Sequence, residues 1–88
     1  MSEMIIQPDE LRHAAEEFTR AGKDLEKVLK NLDDTTGNLK EHWRAASQQV
    51  FYKQFNEMRQ YMEGMKILLD HISLEMQSMA EHFEEADK

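Results

Sequence analysis

The sequence predicts an all-α chain: an antiparallel two-helix hairpin that dimerises into a four-helix bundle. Three observations carry that expectation. Apolar residues recur at alternating steps of three and four on both sides of the single tryptophan, Trp43, and no stretch shows the two-residue period of a strand. With 3 Gly and 1 Pro in 88 residues, almost nothing interrupts long helices. A two-helix layer of this size leaves one flank of each apolar seam open, and a second hairpin would cover it. One domain over 1–88 is expected, with a helix over about 8–42, a bend over about 43–46, a helix over about 47–83 and a flexible tail at 84–88.

The first helix has a clear start. Pro8 suits the first helical position, and Asp9 and Glu10 complement the positive end of the helix dipole. Its seam reads Leu11, Ala14, Phe18, Ala21, Leu25, Val28, Leu32, Thr35 and Leu39, a heptad pattern. Helix propensity is low at Asp33-Asp34-Thr35-Thr36-Gly37-Asn38, where the helix is expected to continue under local strain. A second row, Ala15, Gly22, Leu29, Thr36 and Trp43, runs beside the seam at seven-residue spacing. Ala15 and Gly22 are small enough to admit another backbone. These five, with Tyr61 and Leu68 of the second arm, are expected to meet a second subunit.

The second seam is Phe51, Phe55, Met58, Met62, Met65, Leu69, Ile72, Met76, Met79 and Phe83. An antiparallel turn near residue 45 pairs positions whose numbers sum to about 90, which sets small residues of the first arm against large ones of the second. The methionines, at heptad spacing, read as core rather than as an adaptable binding groove.

Composition excludes several classes of function. A net charge of −7 without a basic patch argues against nucleic acid and against a polybasic membrane contact. No stretch approaches the roughly 20 apolar residues of a membrane span, so stable insertion is not expected. The first residues lack the basic and apolar regions of a Sec-type signal. There is no cysteine, and no two of His13, His42, His71 and His82 share one helical turn, so neither a metal nor any other cofactor is expected. Ser47 has His42 five residues before it but no orienting acid at a defined spacing, and a hairpin offers no pocket; the chain reads as no enzyme.

Two long amphipathic helices, the Trp43-Arg44-Ala45 bend and an aromatic-plus-acid end at Phe83-Glu84-Glu85-Ala86-Asp87 together resemble the WXG family of small early-secreted-antigen-type proteins. Trp43 matches the family's tryptophan, Arg44 its variable position, and Ala45 stands where glycine is usual. Phe83 and Asp87 match the aromatic and acidic positions of its C-terminal signal, with Phe in place of Tyr. At residue 45, alanine predicts a helical or turn-like backbone, not a left-handed one.

The resemblance implies a protein secreted without a Sec signal by a type VII (ESX) system, cytoplasmic before export. It implies export as a folded antiparallel homodimer, or as a pair with a related WXG-type protein, recognised by a membrane-bound FtsK/SpoIIIE-like ATPase. Trp43, Arg44, Ala45, Phe83 and Asp87 would form the export signal. The role after export is left open between virulence, competition between bacteria and service to the export machine. A cytosolic helical adaptor or chaperone-like coiled coil is the alternative reading of the same hairpin.

Overall fold

The computed structural model describes residues 6–39, 42 and 45–86 of the chain; Trp43, Arg44 and Asp87 lie outside the described residues. Two antiparallel helices, α1 (Pro8–Leu39) and α2 (Ala45–Ala86), pack along their length in a rod 65 Å long. The backbone carbonyl of Gln7 accepts from the amides of Glu10 and Leu11 at 3.0 and 3.2 Å, closing the first turn of α1 without a side-chain cap. α2 opens at Ala45, and no non-glycine residue among those described has a positive φ, so Ala45 needs no left-handed backbone.

Both helices run through segments where sequence alone suggests weakness. α1 crosses 33–38 intact, and the segment is tied to α2 by polar contacts. The Thr35 and Thr36 hydroxyls donate to the carbonyls of Asn31 and Asp33 at 2.9 and 3.0 Å. From α2, the Tyr52 hydroxyl donates to the Thr36 carbonyl at 3.0 Å, and the Arg59 guanidinium grips both Asp33 carboxylate oxygens at 2.9 and 2.8 Å. At the far end α2 is helical through Glu84 and Glu85, where the sequence suggests a frayed tail. Glu84 is held there by Arg12, which donates to its carboxylate across the hairpin.

The interhelical core is rotated from the expected seams. Leu11, Ala15, Gly22, Leu29 and Thr36 of α1 are buried, as are Phe55, Ser73 and Ala80 of α2. Half of each expected seam does point inward: Phe18, Leu25 and Leu32, with Met62, Leu69 and Met76, are partly covered beside that core. The other half does not. Ala21, Val28, Thr35, Met58, Met65 and Met79 are exposed. Each covered face is thus turned by one heptad position, about 50°, from the centre of its apolar stripe. The cause is steric. Ala15, Gly22, Ser73 and Ala80 leave room on this face, and they are buried there together with Leu11, Leu29 and Phe55. A Cβ on Gly22 would sit 3.1 Å from Asp70 Oδ1 and 4.0 Å from the Leu69 Cβ, so α2 side chains crowd this position.

This corrects the assignment of Ala15, Gly22, Leu29 and Thr36 to a second subunit. They lie against the chain's own second helix. Tyr61 and Leu68 of the same expected set remain exposed, at 80% and 56%.

Candidate functional site

The rotation gives the hairpin two unlike edges. One is polar and closed. Arg12, Thr19, Glu26 and Asp33, seven residues apart along α1, reach Glu84, Ser73, Lys66 and Arg59 of α2. Ser73 is its buried centre: its hydroxyl donates to the Ala15 carbonyl at 2.8 Å and lies 2.7 Å from Thr19 Oγ1, and Gln77 Nε2 donates to it at 3.2 Å. Lys66 Nζ sits 2.9 Å from Asp70 Oδ2 and 3.1 Å from Glu26 Oε1. Those two hydrogen bonds, Asp70's first, hold its pKa above the ordinary lysine value and outweigh the desolvation that would lower it. Arg12 is likewise raised, chiefly by its hydrogen bond to Glu84. Sequence reasoning missed this edge, although opposite charges at Glu26/Lys66 and Asp33/Arg59 stand at the same number sum of 92, a pattern the hairpin register makes legible.

The other edge is apolar and uncovered. α1 contributes Ala21, Val28 and Thr35 and α2 contributes Met58, Met65 and Met79, bordered by Tyr61 and Leu68, while Ala14, Phe51 and Ile72 of the same rows are half-buried. Met65 is 56% exposed in mid-helix, flanked by Met58, Tyr61 and Leu68, all of them exposed. Exposed apolar side chains scattered singly are ordinary, but a contiguous stripe running the length of a rod marks an interaction surface. This stripe is the candidate functional site.

The residues expected to carry export fall at the two ends. Phe83 is 43% exposed near the end of α2, beside the Arg12–Glu84 clasp, while Ala45 opens α2 at the other end. They are separated by roughly 57 Å of helix at about 1.5 Å per residue, so one hairpin does not bring them together. His13 and His71 are exposed beside Glu17 and Glu75, at 4.0 and 3.6 Å. Among the described residues no cluster of His, Asp or Glu could hold a metal, and no helix is long and apolar enough to cross a membrane. A groove near the bend end, lined by Asp33, Thr36, Gln48, Tyr52 and Lys53 among others, is open to solvent.

Comparison with known proteins adds the following. A family model described as "Proteins of 100 residues with WXG" (WXG100) matches residues 3–88. An ESAT-6-like protein of Streptococcus agalactiae is 26% identical over 87 residues, covering 99% of this chain and 91% of the relative. The type VII secretion system extracellular protein A of Staphylococcus aureus is 22% identical over 88 residues, covering 100% of this chain and 91% of that protein. In three dimensions the chain is similar to the secreted protein EsxB of Bacillus anthracis, with a TM-score of 0.90, 27% identity and 100% of both chains covered. It is also similar to EsxA of Geobacillus thermodenitrificans, with a TM-score of 0.84, 27% identity, and 99% and 95% covered.

Proposed function

From the premise that this chain belongs to the WXG100 family, we propose that it is a small non-enzymatic protein exported by a type VII secretion system as a folded pair of hairpins. Family membership supports the export half of this reading, together with relatives named as type VII extracellular and secreted proteins. The pairing half rests on one observation: in each helix the covered face is turned about 50° from the centre of the apolar stripe. In a square four-helix bundle each helix touches one neighbour on either side of a line to the bundle axis, each about 45° from it. A lone hairpin optimised for itself would centre its stripe on its single partner. These stripes are centred for two, which favours a paired hairpin over a solitary cytosolic adaptor.

The export signal in this reading is composite. Trp43, Arg44 and Ala45, with Phe83 and Asp87, are the positions that a membrane-bound FtsK/SpoIIIE-like ATPase would recognise. Ala45 in place of glycine is compatible with that role, since α2 begins there in ordinary helical geometry. Trp43→Ala and Phe83→Ala/Asp87→Ala are expected to abolish appearance in culture supernatant while leaving the mass in solution unchanged. Normal export of both variants would sink the composite signal. Met65→Asp/Leu68→Asp is expected to keep its helical circular dichroism and sediment as a monomer.

A further inference from the structure

We propose that a second face of the hairpin, made by Lys23 and Lys30 of α1 with Ile67 and Leu74 of α2, docks an amphipathic helix of another protein. That helix carries a row of carboxylates beside a row of aliphatic side chains, each at seven-residue spacing. The face lies outside the pairing reading above: Ile67 is about 200° around α2 from Met65, so it points away from the methionine flank.

Ile67 is 69% exposed and Leu74 is 62% exposed, more than Met65 at 56%. They follow Lys66 and Ser73, the clasp residues of α2, by one position each. Their row along α2 is Gln60, Ile67, Leu74 and Glu81. On the facing side of α1 the row is Glu16, Lys23, Lys30 and Gly37, all exposed. Each row thus has a two-residue centre of one character, aliphatic on α2 and cationic on α1. The register that sets Glu26 beside Lys66 and Asp33 beside Arg59 places Lys23 level with residue 69, between Ile67 and Leu74, and Lys30 one heptad further along. Between the rows the surface is grooved, beside Thr19, Lys23 and Gln77 and again beside Glu26, Lys30 and Lys66.

The charge of this face is not cancelled from within. In a chain of net charge −7, four of the 11 basic residues, Arg20, Lys23, Lys27 and Lys30, fall within residues 20–30 and are exposed. Among the described residues neither Lys23 nor Lys30 has an ion-pair partner. The nearby carboxylates are engaged elsewhere: Glu26 and Asp70 with Lys66 at 3.1 and 2.9 Å, Glu63 with Arg59 at 3.3 Å and Glu17 with Arg20 at 2.6 Å. Two lysines alone, or two exposed aliphatic residues alone, are ordinary surface. Side by side at one pitch, about 10.5 Å per seven residues, they match a helix that lies along the groove, anchored by its aliphatic row and aligned by its carboxylates.

An anionic bilayer fits this face less well, because Glu16 and Glu81 continue the same two rows and the chain as a whole repels such a surface. A second copy is a poorer occupant too. Its own carboxylates at this spacing, Glu17 and Asp24, border the apolar flank of Ala21 and Val28 that pairing would cover.

The probe is a synthetic helical peptide of about three heptads, with one row of Leu and one of Glu on adjacent faces, and the control is the same composition scrambled. Fluorescence anisotropy with the purified full chain is expected to show saturable binding of the matched peptide, and binding at least about tenfold weaker for the scrambled one. Lys23→Glu/Lys30→Glu and Ile67→Ser/Leu74→Ser are each expected to weaken the matched peptide about tenfold or more while keeping helical circular dichroism and mass in solution. Met65→Asp/Leu68→Asp, which opposes pairing, is expected to bind the peptide as the unmodified chain does, so this proposal and the pairing reading fail separately. No saturable binding, equal binding of the scrambled peptide, or equal binding by either surface variant overturns the proposal. Binding to phosphatidylglycerol vesicles but not to the peptide overturns it in favour of a membrane surface. Growth of the unmodified chain beyond a pair, lost in Lys23→Glu/Lys30→Glu, overturns it in favour of further copies.

Discussion

At the scale of single residues, two helical glycines do different things. Gly22 is buried against α2, with the side chains of Asp70, Lys66 and Leu69 around it. Gly22→Leu has no room without moving the helices apart, and a loss of about 1–3 kcal/mol of stability is expected in chemical denaturation. Gly64 has no atom within 4 Å of where a Cβ would lie. Gly64→Ala therefore removes only the entropic penalty of glycine in a helix, and a gain of about 0.5–1 kcal/mol is expected by the same measurement. Ser73 is the buried polar residue that ties α2 to the Ala15 carbonyl and the Thr19 hydroxyl. Ser73→Ala is expected to cost about 1 kcal/mol, since the volume barely changes and the loss is that of hydrogen bonds.

At the scale of elements, α1 and α2 are held by apolar contact on one side and polar clasps on the other. The clasps are part-exposed, so they act more on register than on stability. Their pH dependence has a definite sign. Lys66 is raised above the ordinary value of 10.5 in the folded chain, so its contribution is complete below that pH and is lost as pH rises through the raised folded value. Thermal melting should accordingly fall on the alkaline side, and Lys66→Gln should flatten part of that fall. An unchanged alkaline profile in the variant would mean that the clasp adds nothing.

At the scale of the whole molecule, each copy carries a net charge of −7, and pairing brings two such rods together. Their long-range repulsion is screened by salt, while burial of the methionine-rich flank is not. Dimerisation should therefore tighten between about 20 mM and 150 mM sodium chloride, over which the screening length shortens from roughly 20 Å to about 8 Å. Weakening by salt would point instead to association driven by ion pairs between copies. The composite signal proposed above needs a second copy, because Ala45 and Phe83 of one chain lie at opposite ends of α2.

Period, length and punctuation in the sequence determined that there are two long helices, that they run antiparallel, and that cross-helix partners sum to about 90. The same chain determined that each helix has an apolar stripe wider than one contact needs. It could not determine which half of that stripe faces the other arm, because Leu, Met and Val have the same periodicity on either side of the stripe's centre. Only the tertiary structure decided it. The small side chains Ala15, Gly22, Ser73 and Ala80 leave room on one half, and the clasps from Arg12 to Arg59 hold the hairpin to that side. The row that looked reserved for a second subunit became the hairpin's own core. The methionine row that looked like core became the surface left to be covered.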